Sequence, residues 1–297
     1  MSSPQGTPAS SQGKVFLIGA GPGGPDLITL RGAALLGQAD LVLYDYLVNP
    51  QILSHARAGA EKKCLGKHGQ GRMTPQEEIN RELVDAARQG KVVARLKGGD
   101  PSVFGRGPEE IAALESAGIS YEVVPGVTAA AAAASHAGIP LTHRDHASCV
   151  ALITGKQRGA PGDPLDIDGL AKFPGTLVFY MGVTTAPDWA PALIARGKSA
   201  ATPVAIVRHC SLPQQQTLIA TLGELPAIVA DGKLRPPAII IVGEAVDARA
   251  ANNWFAARPL SGHTVLTARP AHQTEPLLSK LREQGARVIE QPAIKIA

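Results

Sequence analysis

The sequence predicts an α/β protein made of two α/β domains. Short apolar runs alternate along the chain with stretches of helical periodicity, a pattern typical of domains with largely parallel sheets. The length of 297 residues corresponds to about two domains of average size. A third observation is that apolar runs such as VFLIG end in glycine, as buried parallel strands do before a ligand-binding turn.

The first half of the chain begins with a predicted strand at Val15–Gly19. Asp26 or Thr29 is predicted to start the helix that follows. Pro75 lies near the start of an amphipathic helix whose apolar residues, spaced to share one face, include Ile79 and Leu83. Further strands are predicted at Leu41–Tyr44, Val92–Leu96 and Glu122–Val124.

An Ala-rich helix at Thr128–Ala134 follows the Pro125-Gly126 pair, and Pro140 is predicted to end it. We place the domain boundary close by, with an N-terminal domain over 14–135 and a C-terminal domain over 136–247. Strands of the second domain are predicted at Val150–Thr154, Thr176–Tyr180, Pro203–Val207 and Ala238–Val242.

The two ends of the chain differ in composition from the middle. Residues 1–13 are rich in Ser, Gln, Gly and Pro, which predicts a disordered lead-in and not a signal peptide. Residues 248–260 are predicted as a linker. The tail over 261–297 carries strand-helix-strand signals but is too short to bury a core of its own, so it is interpreted as the start of a further, truncated domain.

Composition restricts the class of protein. The net charge is 29 − 25 = +4 and aromatic residues make up 4%, with no dense basic run, which disfavours nucleic acid as a partner. No apolar run approaches the roughly 20 residues of a membrane span. Three cysteines, odd in number and far apart, favour a reducing compartment, so the protein is predicted to be cytoplasmic.

The first glycine loop, Gly19–Gly24, has the G-x-G-x-x-G pattern of a dinucleotide site, with Asp45 about 20 positions further on. Pro22 and Pro25 weaken this interpretation, because each removes a backbone donor from the loop. The alternative is a tight turn that lets chain and ligand approach closely. The loop alone leaves both open.

Three other polar segments are candidate sites, each with a plainer alternative. Lys97–Pro101 follows a predicted strand, where α/β proteins bind ligands, but these residue types also favour ordinary turns. Arg106, Glu109 and Glu110 are either site residues or solvated charges at a helix start. Within Thr142–His146 the two histidines lack a third metal ligand, so no metal is expected, and the arginine suits carboxylates.

Taken together and in order, the motifs resemble those of the uroporphyrinogen-III C-methyltransferases, S-adenosylmethionine-dependent enzymes of the tetrapyrrole methyltransferase superfamily. The resemblance covers about residues 14–247. It rests on VFLIGAGPGGPDLITLRGAALLGQADLVLYD, GKHG, LKGGDPSVFGRGPEE, VVPGVTAAAAAASHAGIPLTHRDHAS, FYMGV and PAIIIVGEAV. It implies two α/β domains with the donor in the cleft between them, usually in a homodimer, and it argues against a nicotinamide cofactor.

The resemblance also implies roles for individual residues. Asp45 and Lys67 match the family's proposed proton acceptor and donor, and Arg106 and Glu109 could share the acid-base role. Arg106, Glu109 and Arg144 match its substrate-facing residues. The donor-binding positions are matched by Pro22, Gly98, Gly99, Asp100, Val103, Thr128, Ala129, Met181, Cys210 and Ala238.

Some positions depart from the family pattern. Cys210-Ser211 replaces a usual Gly-Thr pair, which puts the role of Cys210 in doubt. Pro108 replaces a usual Gly, and Lys156 replaces a frequent His. These differences bear on affinity and pH behaviour, but not on the class of reaction.

The expected activity is methylation of uroporphyrinogen III at carbons 2 and 7, giving precorrin-2 and S-adenosylhomocysteine. Another corrin-pathway C-methyltransferase is the alternative within the class. A nicotinamide oxidoreductase and a protein that binds the donor without turnover are the alternatives outside it. The tail resembles the start of uroporphyrinogen-III synthase, and we expect it to lack synthase activity because most of that fold is absent.

Overall fold

The computed structural model describes residues 13–66, 74–155, 165–232, 234–270 and 275–293. By internal contacts the chain divides between Thr128 and Ala129 into two units. The bounds predicted for the two domains, 14–135 and 136–247, stay predictions. The predicted lead-in lies outside the described residues, except for Gly13.

The first unit holds a five-stranded parallel sheet in the order β3-β2-β4-β1-β5. Its strands are β1 (Lys14–Gly19), β2 (Leu41–Tyr44), β3 (Glu61–Cys64), β4 (Val92–Lys97) and β5 (Ser120–Val124), and its helices are α1 (Leu30–Leu36), α2 (Gln76–Arg88) and α3 (Gly107–Ser116). Because all five strands run the same way, their carboxyl ends meet at one end of the sheet. Loops at that end are where a ligand binds in such sheets.

Local sequence explains where the elements of this unit begin. The Thr29 hydroxyl accepts a hydrogen bond from the backbone N–H of Gly32 at 3.1 Å, so Thr29 caps α1. Helix α2 follows Pro75 and buries Ile79 and Leu83 on its inner face, as its periodicity predicts. Strand β3 was missed because its exposed, charged sequence EKKC suits a solvated edge strand and carries no apolar signal.

The second unit begins with α4 (Ala129–Ala137), which ends before Pro140 because Gly138 takes the left-handed φ of 67°. Its sheet has the order β6-β7-β10-β8-β9. The strands are β6 (Val150–Thr154), β7 (Thr176–Tyr180), β8 (Pro203–Arg208), β9 (Gln216–Thr221) and β10 (Ala238–Val242), and the helices are α5 (Ile167–Lys172), α6 (Ala186–Ala195) and α7 (Leu225–Ala230).

This second sheet is mixed, so the expectation of largely parallel pairing is wrong here. Only β6 and β7 pair in parallel; β7–β10, β10–β8 and β8–β9 are antiparallel. The seven-residue link between β8 and β9 contains no helix, and a short link joins strands only as an antiparallel pair. Strand β9 was not predicted; it is largely exposed, including Leu218 and Ile219.

The tail forms two parallel strands, β11 (Thr264–Thr267) and β12 (Arg287–Glu290), joined by α8 (Glu275–Glu283). Residues 248–260, predicted as a linker, contain no regular strand or helix and are held against α4. The indole Nε1 of Trp254 donates to the carbonyl of Ser135 at 3.0 Å, and Asn253 donates to the carbonyl of His136 at 2.9 Å.

Candidate active site

Three glycines bring the loops after β1, β4 and β5 into backbone contact. A Cβ on Gly19 would lie 2.5 Å from the Cα of Gly126, and one on Gly126 would lie 2.2 Å from the carbonyl oxygen of Gly99. Real Cβ atoms do not approach so closely. We call Gly19, Gly99 and Gly126 the glycine contact; it positions the loops at the carboxyl end of the first sheet.

The first backbone N–H groups of the loop after β1 donate hydrogen bonds within the protein. The N–H of Ala20 donates to the carbonyl of Lys97 at 2.8 Å, and that of Gly21 donates to the carbonyl of Gly99 at 3.2 Å. Pro22, half-buried, has no N–H. A dinucleotide fingerprint needs such donors for the pyrophosphate, so the loop geometry favours the tight-turn interpretation.

Asp100 ties two of these loops together. Its Oδ2 accepts a hydrogen bond from the N–H of Gly126 at 2.8 Å, and its Oδ1 accepts one from the N–H of Ser102 at 2.7 Å. Val103 is half-buried on the same loop. Gly98 faces more open space, because among the described residues a Cβ there would meet only Leu47, at 3.7 Å.

Asp45 directly follows β2, so its side chain lies at the same end of the sheet. Its carboxylate is 36% exposed and accepts a hydrogen bond from Nη2 of Arg95 at 2.5 Å. The N–H of Gly98 donates to the second oxygen at 3.4 Å. Asp45 is thus held by its partners and still open to a ligand.

A buried ionic cluster lies behind Asp45, and sequence analysis missed it. Arg95, Lys97 and Glu110 are 2%, 1% and 0% exposed. Burial, with the charge of Arg95 second, lowers the pKa of Lys97. The solvated-charge alternative for Glu110 is therefore wrong. The signal available in the sequence was Arg95 within a strand predicted as buried, with Lys97 directly after it, since buried charges need a partner.

Arg106 and Glu109 form a surface ion pair at the start of α3. The guanidinium donates from Nε at 2.7 Å and from Nη2 at 2.5 Å to the two carboxylate oxygens. Both side chains are exposed, at 40% and 48%. Arg106 is in the left-handed region, with φ of 57°. Both predicted substrate residues therefore lie on the surface as a neutral pair.

In the second unit, Met181 lies in the turn that follows β7. It has φ of 52° and is half exposed. Tyr180, just before it, is buried, and its hydroxyl accepts a hydrogen bond from the N–H of Ala130 at 2.9 Å. The turn after β7 is thereby tied to the first turn of α4, where predicted donor residue Ala129 lies.

Cys210 and Ala238 lie at this same end of the second sheet. Strand β10 is antiparallel to its neighbours, so its first residue, Ala238, pairs with Arg208 at the end of β8. The Cys210 sulfur is 4.0 Å from the carbonyl oxygen of Ala129. Burial raises the pKa of the Cys210 thiol to about 11, so the thiol is neutral at physiological pH.

Of the other residues singled out from the sequence, the structure describes Arg144 and Thr128. Arg144 is exposed beside a shallow pocket lined by Thr142, His143, Arg144, Ala147 and Ser148. Thr128 is half-buried at the end of the first unit. Lys67 and Lys156 lie outside the described residues. Within the described ranges, no three His, Cys, Asp or Glu side chains gather as metal ligands.

The part of the chain that the structure describes contains no helix with both the length and the apolar character needed to cross a bilayer.

The profile of the Tetrapyrrole (Corrin/Porphyrin) Methylases matches residues 14–226. Uroporphyrin-III C-methyl transferase from Thermus thermophilus, solved in complex with S-adenyl homocysteine, is 43% identical and matches with a TM-score of 0.68 over 80% of this chain and 100% of that one. Cobalt precorrin-4 methyltransferase matches at 33% identity and a TM-score of 0.71, over 81% of this chain and 99% of that one. The chain therefore belongs to the tetrapyrrole methylase family.

Curated relatives are longer proteins. The siroheme synthase of Chromobacterium violaceum is 48% identical over 83% of this chain and 52% of its own length. Siroheme synthase 1 of Pectobacterium atrosepticum is 49% identical over 84% of this chain and 52% of its own length. The chain thus spans about half the length of these relatives.

Proposed function

We propose that this protein transfers methyl groups from S-adenosylmethionine to carbons 2 and 7 of uroporphyrinogen III, giving precorrin-2. The observation that carries the proposal is the likeness to the Thermus thermophilus uroporphyrin-III C-methyl transferase, 43% identical over that protein's whole length. We further propose that the protein works as a homodimer and that its product serves sirohaem or corrin synthesis.

The residues proposed to bind the donor are found in both units. In the first unit, Gly98 leaves open space next to the ordered backbone of Gly99 and Asp100. In the second, Met181 offers a half-exposed thioether above a turn fixed by Tyr180. The full proposed set is Pro22, Gly98, Gly99, Asp100, Val103, Thr128, Ala129, Met181, Cys210 and Ala238.

S-adenosylmethionine, when bound, supplies an electrophilic methyl group, and the protein's part is to align it with the nucleophilic pyrrole carbon. Alignment at near-attack distance supplies much of the rate in such transfers. The glycine contact serves this role, because loops packed backbone to backbone hold their positions with little freedom.

Arg106 and Arg144 are proposed to bind the carboxylates of the macrocycle, which carries eight. Guanidinium forks bind carboxylates with two parallel hydrogen bonds. In the structure Glu109 already fills the fork of Arg106. Glu109 uses the edge formed by Nε and Nη2, so a substrate carboxylate is proposed to bind the other edge of the guanidinium, formed by Nη1 and Nη2.

Asp45 is proposed as the base that takes the proton the macrocycle loses after methylation. It is partly exposed, ends a strand at the ligand-binding end of the sheet, and has its carboxylate oriented by Arg95. Lys67 is proposed as the matching proton donor, and Glu109 or Arg106 as groups that share the work.

A second candidate is another corrin-pathway C-methyltransferase. It is favoured by the match to cobalt precorrin-4 methyltransferase, which covers 99% of that chain with a TM-score of 0.71. The two candidates share the donor and differ in the macrocycle and in the carbon that is methylated.

The test is to incubate the purified protein anaerobically with uroporphyrinogen III and methyl-labelled S-adenosylmethionine, and to count methyl groups per macrocycle by mass spectrometry. Two methyl groups, placed at carbons 2 and 7 by NMR, are expected. No incorporation by a protein that binds S-adenosylhomocysteine would contradict the proposal and favour a later corrin intermediate. If Asp45→Asn, Glu109→Gln and Arg106→Lys all kept near-normal turnover, the acid-base roles would be wrong.

A further inference from the structure

In the buried ionic cluster of Arg95, Lys97 and Glu110, only Arg95 has been given a role so far, that of orienting Asp45. Its side chains are 3%, 2% and 0% exposed. It nevertheless ends at the site, because Arg95 reaches from it to Asp45.

The places of these three residues on β4 and α3 explain why their side chains meet. Arg95 and Lys97 are two residues apart on β4, so their side chains leave the same face of the strand. Glu110 lies in the first turn of α3, and its side chain reaches both of them. Its Oε1 accepts from Nε of Arg95 at 3.0 Å, and both its oxygens accept from Nζ of Lys97 at 3.0 Å. Gln76 adds a fourth hydrogen bond, at 3.2 Å.

Arg95 has little freedom in this arrangement. Its Nε donates to Glu110, its Nη1 donates to the carbonyl of Leu96 at 2.9 Å, and its Nη2 donates to Asp45 at 2.5 Å. Because the guanidinium is planar, fixing Nε and Nη1 also fixes the direction in which Nη2 points. The carboxylate of Asp45 is therefore oriented by a group that is itself held from two sides.

Stability alone does not account for the cluster. Taking three charges out of water carries a desolvation cost that their attraction only partly recovers, and apolar side chains of similar volume often serve a core equally well. Two cations here share one buried carboxylate, so Arg95 needs Asp45 as its second anionic partner. The two positive charges of Arg95 and Lys97 are therefore balanced only when the partly exposed Asp45 is counted together with Glu110.

We infer that Glu110 is a positioning residue, which holds the guanidinium of Arg95 against Asp45 and so fixes the direction of that carboxylate. Lys97 holds Glu110 in turn. The inference rests on the proposed function, in which Asp45 removes the proton from the methylated macrocycle.

A double-mutant cycle tests it. The kcat for methyl transfer to uroporphyrinogen III is measured for the wild type, Glu110→Gln, Asp45→Asn and the variant with both changes. Glu110→Gln is expected to lower kcat about tenfold or more while the Kd for S-adenosylhomocysteine stays within about twofold. The variant with both changes is expected to be no slower than Asp45→Asn. If the two losses multiply, Glu110 does not act through Asp45 and the inference is wrong.

Two further variants control the experiment. Glu82→Gln makes the same chemical change in a carboxylate of the same unit that is paired with Lys63 at 2.8 Å, and it is expected to leave kcat unchanged. Arg95→Lys keeps the charge and removes the fork. Should Glu110→Gln fail to fold by circular dichroism, Arg95→Lys takes its place in the cycle, with the same expectation.

A crystal structure of Glu110→Gln, or of Arg95→Lys if the former does not fold, decides the inference without any activity. An Asp45 carboxylate that takes more than one orientation in the variant would support the inference. One that keeps the wild-type orientation would overturn it. The proposed function fails separately, if the wild-type protein does not methylate uroporphyrinogen III.

Discussion

Two residues of the turn around Cys210 have unusual backbone conformations. His209 and Ser211 have φ of 50° and 65°, in the left-handed region that non-glycine residues rarely enter. Between them Cys210 is 6% exposed and faces the carbonyl of Ala129. Strain of roughly 1 kcal/mol or more at each flanking residue must be offset by the surrounding packing.

The buried thiol makes stability depend on alkaline pH. Below about pH 9 the thiol is protonated in both states; above it, the thiol ionises in the unfolded chain but not in the folded one, where its pKa is about 11. The Cys210 contribution is therefore present below pH 9 and lost as the pH rises to 11. Between these pH values we predict that wild type loses about 2 kcal/mol more unfolding free energy than Cys210→Ala, measured by urea denaturation.

Cys210→Ser separates titration from volume. Serine does not ionise in this range, so its unfolding free energy should follow the pH dependence of Cys210→Ala although the two side chains differ in size. A curve parallel to wild type in either variant would mean that other groups cause the alkaline loss.

At the scale of residues, the sequence indicated candidate loops more readily than the contacts that individual side chains make. The place of Gly98, Gly99 and Asp100 after a strand left either a site or an ordinary turn open, and their predicted donor role came from the family resemblance. The buried state of Glu110 depends on tertiary packing that brings it to Arg95 and Lys97, and two adjacent glutamates look alike in sequence. The exposed Glu109 and the buried Glu110 differ only through that packing.

Among the elements, α6 supports the turn that carries Met181. The Trp189 ring stacks on Phe179 with centroids 3.9 Å apart and planes 7° apart. Its Nε1 donates to the carbonyl of Gly182, next to Met181, at 3.0 Å. One side chain of α6 therefore both packs against β7 and satisfies the backbone of the turn that follows it.

Trp189→Phe is predicted to destabilise the protein by about 1–3 kcal/mol, because it removes ring volume and the shorter of two hydrogen bonds to the Gly182 carbonyl, leaving that of Thr185 at 3.4 Å. It should also weaken binding of S-adenosylhomocysteine, measured by calorimetry, through the turn at Met181. Trp254→Phe is the matched control: its indole also donates to a carbonyl, but the ring is 56% exposed. Equal effects in the two variants would contradict a special role for α6.

Strand and helix positions were largely predictable, since apolar runs and caps are local signals. Leu41–Tyr44, Val150–Thr154 and Ala238–Val242 begin and end where the sequence predicts. Strand direction in the second sheet was not predictable in this way, because it depends on which strands become neighbours. Because β10 runs antiparallel to β8, its first residue, Ala238, lies at the same end of the sheet as Cys210, and its last residue, Val242, lies at the other end.

The family match covers residues 14–226, and among the described residues the main core of the second unit is formed before the tail. That core runs from Ile153 to Val242 and packs around Phe179, Trp189 and Ile240. The tail adds its own small buried set, including Leu278 and Ala286. Neither the family match nor the core therefore needs residues beyond 260.

A chain shortened to residues 1–260 is predicted to methylate uroporphyrinogen III with kcat within about twofold of the full chain. Methyl incorporation per site, measured side by side for the two proteins, checks this. The full chain should also fail to convert hydroxymethylbilane to the type III macrocycle. A shortened protein that folds by circular dichroism yet has lost its turnover would assign the tail a part in catalysis.

The glycine contact has a consequence for the genetics of this protein. Gly19, Gly99 and Gly126 already carry the smallest side chain there is, so a bulkier residue at one of them has no shrinking change at the other two to compensate. Second-site suppressors of Gly126→Ala should therefore be absent from the contact itself. They should map to residues that stabilise the first unit as a whole.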